Sequence, residues 1–473
     1  MNFIVVVSDT LRRDHLGCYG NKWISTPHID RFASKSLLFE RAYIGSFPTV
    51  PHRRDFLTGR FASSYIGWAP LGLEEVVLPE VLGKQGYISM MVCDCPHLLK
   101  NGYHYDRGFD GFEWIRGQEN DRWRTYPEAP EHPCDASKIR SSARLQKHHR
   151  RNVAGWQREA DRFVARSMTV ACEWLEQNYK RDNFFLYVDT FDPHEPWDAP
   201  QWYVDMYDPG YDGEVIDHPR YSPTDFLSEA ELKHCKALYA GEVTLVDRWA
   251  GSLFDKIEDL GLFDNTVVIF TSDHGFLHGE HGIIGKCLLL GKEERPFCIP
   301  LYEEINHIPL IVSYPGALAG RSSAIVQPMD IMPTMLELAG ADIPGSVQGK
   351  SFARILTGKE QKHRDFAVSA PFLKEAGGLA TVAKGKYAAV FYPSNKGEMR
   401  DKSFNGYFEI PERDKQAEDL LFDLSESPAQ EVSIAGKHPE IMAELRKDLL
   451  GFLAELNTSS DIVALWRGTS AER

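Results

Sequence analysis

Runs of apolar residues that each end in a polar cluster recur along the chain, at 3–7, 86–92, 183–188, 266–270 and 307–312. Apolar runs of this length, rich in β-branched residues, predict strands buried on both faces of a largely parallel sheet. The stretch 232–260 has a different period. Val243, Val246, Ala250, Leu253, Ile257 and Leu260 are spaced by three and four, which draws one apolar helix face, and Gly261 is placed to end that helix. Thr26-Pro27 begins another helix, and 330–340 a third. After about residue 365 short runs such as 387–391 and 420–424 alternate with polar turns, and Ile441, Leu445, Leu449, Phe452 and Leu456 then line one helix face. The pattern predicts an α/β domain over 1–365, with a large central, mostly parallel sheet flanked by helices. A small antiparallel sheet with a packed helix follows over 366–473, its last dozen residues forming a tail. Residues 114–160 have no readable period and are taken as an insertion; the basic run 147–151 reads as a solvated face.

Composition narrows the class. The chain has 473 residues, 43% hydrophobic and 26% charged, enough for a large core. A net charge of -15 excludes nonspecific nucleic-acid binding, and an anionic substrate would need local positive charge at its site. No apolar stretch is long enough to span a membrane. The run after Met1 is too short for a secretory signal, and the 8 scattered Cys make no pair of Cys-x-x-Cys motifs. The expectation is a cytoplasmic protein with reduced thiols.

The strand ends carry the chemistry, because ligands of open α/β sheets gather at the carboxyl ends of strands. The first run delivers Asp9, a candidate metal ligand or else a turn aspartate. The second leads to Asp94 and His97, the third to Asp189 and then His194, whose imidazole suits proton transfer. The fourth delivers Asp273-His274, an oxygen and nitrogen pair suited to a divalent cation. Between the first two lies Pro48-Thr49-Val50-Pro51-His52-Arg53-Arg54, then Thr58-Gly59. A Pro on each side of Thr49 restricts a hydroxyl beside two fork-shaped cations, which suits an alcohol nucleophile acting on an oxyanion. A proline-rich loop with surface arginines would read the same way.

Thr49, Pro51, Arg53, Thr58 and Gly59 together resemble the signature loop of the sulfatase family, within the alkaline phosphatase superfamily. The segments 9–20, Asp192-Pro193-His194-Glu195-Pro196 and Asp273-His274 continue the resemblance in the expected order. The resemblance implies one divalent metal held by Asp9, Thr49, Asp273 and His274. It also implies catalytic roles for Thr49, Arg53, His194, Lys286 and His97. Lys286 lies twelve residues beyond His274 and matches a lysine that bridges nucleophile and substrate. It does the work of a second metal, so His278 and His281 are read as lying outside the ligand set.

The chain departs from the family at three places. Thr49 stands where a Cys or Ser is oxidised to formylglycine, and a Thr oxidised the same way would give a ketone. Thr10 stands where a second Asp ligand is usual. Asp94 lies near the place of an expected Lys and reads as a structural acceptor. These departures, with Asp273-His274, make the chain similar to phosphonate monoester hydrolases and phosphodiesterases. They favour manganese or zinc over calcium or magnesium. The expected substrate is a small anionic ester. A true sulfatase and a binding protein without turnover are the alternatives, and a homo-oligomer is left open.

Overall fold

The computed structural model describes residues 1–291, 294–317, 319–371, 373, 378–394 and 418–468. Its centre is an eight-stranded sheet. The strands, in chain order, are β1 (Asn2–Ser8), β2 (Leu37–Tyr43), β3 (Ile88–Cys93), β4 (Gly111–Trp114), β5 (Phe184–Thr190), β6 (Thr266–Ser272), β7 (His307–Ser313) and β8 (Gly320–Val326). In space the order is β8-β2-β7-β6-β1-β5-β3-β4. β7 runs antiparallel to both of its neighbours, and every other pairing is parallel.

The unbroken apolar runs explain the burial. Every residue of β1, β5 and β6 is buried, and alternate side chains supply two separate cores. Phe3, Val5 and Val7 join Phe185, Tyr187, Val267 and Ile269 on one face. Ile4 and Val6 join Leu186, Val188, Val268 and Phe270 on the other. Helices α1 (Pro27–Ser34), α4 (Phe163–Asn178) and α5 (Glu229–Asp259) cover the second face, while α2 (Thr49–Thr58), α3 (Leu78–Lys84) and α6 (Ile331–Ala339) cover the first. Each large aliphatic or aromatic side chain buried this way contributes roughly 1.5–3 kcal/mol.

The C-terminal sheet is antiparallel, in the order β9 (Phe366–Ser369), β10 (Ala380–Lys384), β11 (Tyr387–Phe391), β12 (Leu420–Asp423). It packs on α7 (Pro439–Glu455) through Leu445, Leu449 and Phe452. The expected tail is corrected in part: Ser460–Leu465 is a helix, α8, and Trp466 is fully buried beside α7. Residues 469–473 of that tail lie outside the described residues. The helix expected from 232 begins earlier, at Glu229, where Ser228 and Glu231 cap each other. Among the described residues no helix is long and apolar enough to cross a membrane, and all 8 cysteines are free.

Candidate active site

Four adjacent strands, β6, β1, β5 and β3, point their carboxyl ends the same way, and the polar clusters read from the sequence meet there. Asp9 leaves β1 with its N–H donating to Thr190 O at 2.9 Å. Asp273 and His274 leave β6. All three side chains are buried, and their ligand-capable atoms lie within 4.8 Å of one another. No other such group of His, Cys, Asp and Glu exists among the described residues.

Thr10 holds this group together. Its φ of +63° is a left-handed conformation that a β-branched residue rarely adopts. In that conformation its N–H donates to Asp273 Oδ1 and its hydroxyl to Asp9 Oδ1, each at 2.8 Å. The residue that breaks the two-Asp pattern therefore ties the remaining carboxylates together.

His274 Nδ1 donates to Gly275 O at 2.9 Å, which leaves Nε2 as a lone pair 3.4 Å from Asp273 Oδ2. Burial, helped by Lys286, drops the His274 pKa to about 3 against the pull of Asp273. Burial and the charge of Asp273 hold the Asp9 carboxyl well above its usual range. Burial also raises Asp273, but Arg53 and His274 outweigh it and hold that carboxylate low. Asp9 Oδ2 is buried without a hydrogen-bond partner, although Arg53 Nη2 lies 3.1 Å away. Two buried carboxylates, one with an orphaned oxygen, and a neutral imidazole nitrogen fit a divalent cation.

The stretch expected to carry the nucleophile folds as α2, with Thr49 as its first residue and Pro51 in the first turn, where a missing N–H costs nothing. Gly59, at φ +63°, closes the helix by donating to Asp55 O at 2.9 Å. Burial raises the Asp55 pKa to about 7, yet its two oxygens accept from Ser46 N and Ala62 N at 2.7 Å and fix the loop on both sides. Arg53 projects from α2 into the carboxylates. It makes a two-pronged pair with Asp189 at 3.0 and 2.9 Å, approaches Asp9, and donates to Asp273. The sequence placed Arg53 against the ester oxygens; the structure commits its donors to three carboxylates. Arg54, the second fork of the motif, instead meets Glu75 at 3.3 Å and the carbonyls of Gly67 and Pro70.

Thr49, His97, His194 and Lys286 line one cavity of about 800 Å³. Lys286 Nζ donates to His194 Nε2 at 2.9 Å and to His274 Nε2 at 3.2 Å. His194 Nδ1 donates to Glu195 O at 2.7 Å, and burial, with Lys286, holds this ring neutral as well. His97 Nε2 lies 3.0 Å from Glu119 Oε2, and burial, with Lys100, drops its pKa to about 4. Arg140 joins the two sides, 3.1 Å from Glu119 Oε1 and 2.7 Å from Glu195 Oε1. Burial opposes the charge of Glu119, but His97 and Arg140 outweigh it and hold its carboxylate low.

The structure brings Asp9, Asp273 and His274 into one group and Thr49, His97, His194 and Lys286 into one cavity. Asp94 is a structural acceptor, taking hydrogen bonds from Ser167 Oγ, Thr190 Oγ1 and Phe191 N. His278 packs against Tyr239 and Phe276, and His281 stacks on Tyr302 at 3.6 Å; neither joins the ligand group. The solvated reading of 147–151 is corrected. His149 and Arg150 are buried, with Arg150 paired to Asp217 at 2.5 Å and His149 to Asp198 at 3.0 Å. The sequence assigned no role to Asp189, Glu119, Arg140 or Glu195. Only Asp189 and Glu195 carried a signal, each standing beside a motif at the end of β5.

The sulfatase family model matches residues 1–341. An arylsulfatase of Clostridium perfringens (strain 13 / Type A) is 25% identical over 407 residues, covering 77% of this chain and 80% of that protein. Arylsulfatase A of Homo sapiens is 26% identical over 479 residues, covering 94% and 86%. Among solved structures, the phosphonate monoester hydrolase of Agrobacterium radiobacter superposes with a TM-score of 0.72 at 18% identity, covering 96% of each chain.

Proposed function

The chain belongs to the sulfatase family of ester hydrolases, and from that premise we propose that it cleaves phosphodiester or phosphonate monoester bonds with Thr49 as nucleophile. The observation that carries this reading is the place of Thr49. It is the first residue of α2, buried, on the wall of the cavity that also holds Lys286 and His194. A Thr cannot become formylglycine, so its hydroxyl must attack as it stands. The resemblance in fold to a phosphonate monoester hydrolase supports the same choice.

Asp9, Asp273 and His274, with Thr49, would hold one divalent ion, manganese or zinc by donor type. When bound it supplies Lewis acidity that favours the Thr49 alkoxide. Thr49 gives up its proton to solvent, and its Oγ1 then forms a bond to phosphorus while the bond to the leaving oxygen breaks. That oxygen takes a proton through His194 Nε2, which Lys286 replenishes from 2.9 Å away. Water then attacks phosphorus, the bond to Thr49 Oγ1 breaks, and the water's proton returns to the Lys286–His194 pair. Lys286 also stabilises charge on the nonbridging oxygens. Arg53 holds the carboxylates at their spacing.

The test is initial rates on two aryl esters with one leaving group, a phosphodiester and a sulfate, after loading with manganese, zinc or calcium. Faster phosphodiester cleavage with manganese or zinc is expected. Preference for the sulfate ester would overturn the substrate reading in favour of a sulfatase, the activity named for both arylsulfatase relatives. Turnover of neither would favour a binding protein.

A further inference from the structure

We infer that the substrate carries a second anionic group, held by Lys100 and Arg144 at the outer end of the cavity. The inference rests on reading that cavity as the ester site. A volume of about 800 Å³ far exceeds what one tetrahedral anion fills. Its deep end, around Thr49, His194 and Lys286, is buried, whereas Asn101 and Arg144 on the same lining are exposed. The lining also includes Trp68 and Tyr103, which offer flat apolar surface to a connecting ring or chain.

The cations of this lining fall into two kinds. Arg140 is spent on Glu119 and Glu195. Lys100 and Arg144 have no carboxylate within ion-pair distance among the described residues. Lys100 donates to the neutral amide of Asn120, and Arg144 to the hydroxyl of Ser141 at 2.7 Å. Glu294, the remaining acid on the rim, accepts from Ser141 N at 2.5 Å and from its hydroxyl. Burial lowers the Lys100 pKa, the charge of Glu119, itself already paired with His97 and Arg140, opposes this, and Arg144 adds to the lowering. Like charges brought together in a concave site favour an anion between them. The placement stands out in a chain of net charge -15, where cations not directly ion-paired to an acid are not the expected lining of a cavity. A carboxylate, sulfate or phosphate would each satisfy it; the shared chemistry is an oxyanion able to take a guanidinium and an ammonium together.

The probes are alkylphosphonates of roughly two to eight carbons, a span this cavity admits, ending in a carboxylate, a sulfonate or the neutral carboxamide. Binding to the metal-loaded protein is measured by calorimetry. At one chain length or more the anionic terminus should bind about tenfold tighter than the amide. The ratio should fall to about 1 in the Lys100→Met/Arg144→Met variant, and by an intermediate amount in Arg144→Met alone. A ratio under about twofold at every length, or one that survives the double substitution, overturns the inference. The better of the carboxylate and sulfonate arms tells which anion is preferred. Turnover is not read in this experiment. Failure of the phosphoester reading would show in the aryl ester rates and leave the binding ratio as it is.

Discussion

Asp189 takes both prongs of Arg53, Nε at 3.0 Å and Nη2 at 2.9 Å, with neither side chain reached by solvent. Tyr187 donates to the same carboxylate at 2.8 Å. Because Arg53 also reaches Asp9 and Asp273, Asp189 anchors the guanidinium that spaces those two carboxylates. Asp189→Ala would leave Arg53 short of an anion in the core. The expected cost is about 3–5 kcal/mol of stability, seen as a lower urea midpoint. An Asp189→Ala/Arg53→Met variant should recover part of that loss. An unchanged midpoint in Asp189→Ala would show that the pair does not support the fold.

Thr49→Ala should lower turnover by about 10³-fold or more, because the nucleophile is gone while the cavity remains. Thr49→Ser should keep measurable activity, since it keeps the hydroxyl. Metal content should stay at the wild-type level in Thr49→Ala, because Asp9, Asp273 and His274 remain. Hydrolysis by Thr49→Ala at the wild-type rate would place the nucleophile elsewhere.

Elemental analysis of the wild type should find one divalent ion per chain, and Asp273→Ala should lose it. Asp273 is the hub of the ligand group: it accepts from Thr10 and Arg53 as well as facing His274. Full occupancy in Asp273→Ala would remove Asp273 from the ligand set. Circular dichroism of the same sample separates metal loss from unfolding.

Acid sensitivity should come in part from Asp330, which does not line the cavity. Asp330 precedes α6 and is fully buried. It pairs with Arg364, next to β9, and lies 3.1 Å from His363 Nε2. Burial raises its pKa, but Arg364 and His363 outweigh that and hold the carboxyl well below the usual value. A carboxyl lowered by folding binds fewer protons folded than unfolded, so its contribution is complete above the ordinary Asp value of about 3.9. The contribution is lost as pH falls from there through the folded value. Asp330→Asn should cost about 3 kcal/mol near neutrality and flatten the acid limb of a stability–pH curve. A limb of unchanged steepness would mean other carboxylates carry the acid response.

What the sequence made legible follows the range of the interactions. β1, β5 and β6 are buried on both faces, so their apolar runs announce them. β2 carries Glu40 and Arg41, and β8 opens with Gly320-Arg321-Ser322-Ser323, so neither looked like a strand of that sheet. Asp9, Asp273 and His274 sit in short local motifs at strand ends, as Thr49 does at the start of α2, so their meeting follows from local pattern and strand order. Arg150 was misread because its partner, Asp217, comes from a distant loop, and composition alone says that a basic run faces water. Glu119 and Arg140 lie in the aperiodic stretch 114–160 and act only through contacts with His97 and Glu195, which no local pattern announces.

Arg140 is the bridge between the two carboxylates that flank the cavity's histidines. Glu119 takes His97 Nε2, while Glu195 offers its backbone carbonyl to His194 Nδ1 and its side chain at 3.2 Å. Tyr221 adds its hydroxyl to Glu195 and its ring face to Arg140 at 4.5 Å. Arg140→Met would leave two buried carboxylates without their shared cation. Burial already raises the Glu195 carboxyl, and Arg140 is the largest influence opposing it. With Arg140 gone, Glu195 should take up a proton and loosen its hold on the His194 ring. The expected result is a kcat lowered by about 10–100-fold with a smaller change in KM. The pH–rate profile should be displaced as well, because the charge beside both rings has changed. Arg140→Lys, which keeps the charge but not the fork, should restore part of the rate. Equal losses in the Met and Lys variants with an unmoved pH profile would reduce Arg140 to a structural brace.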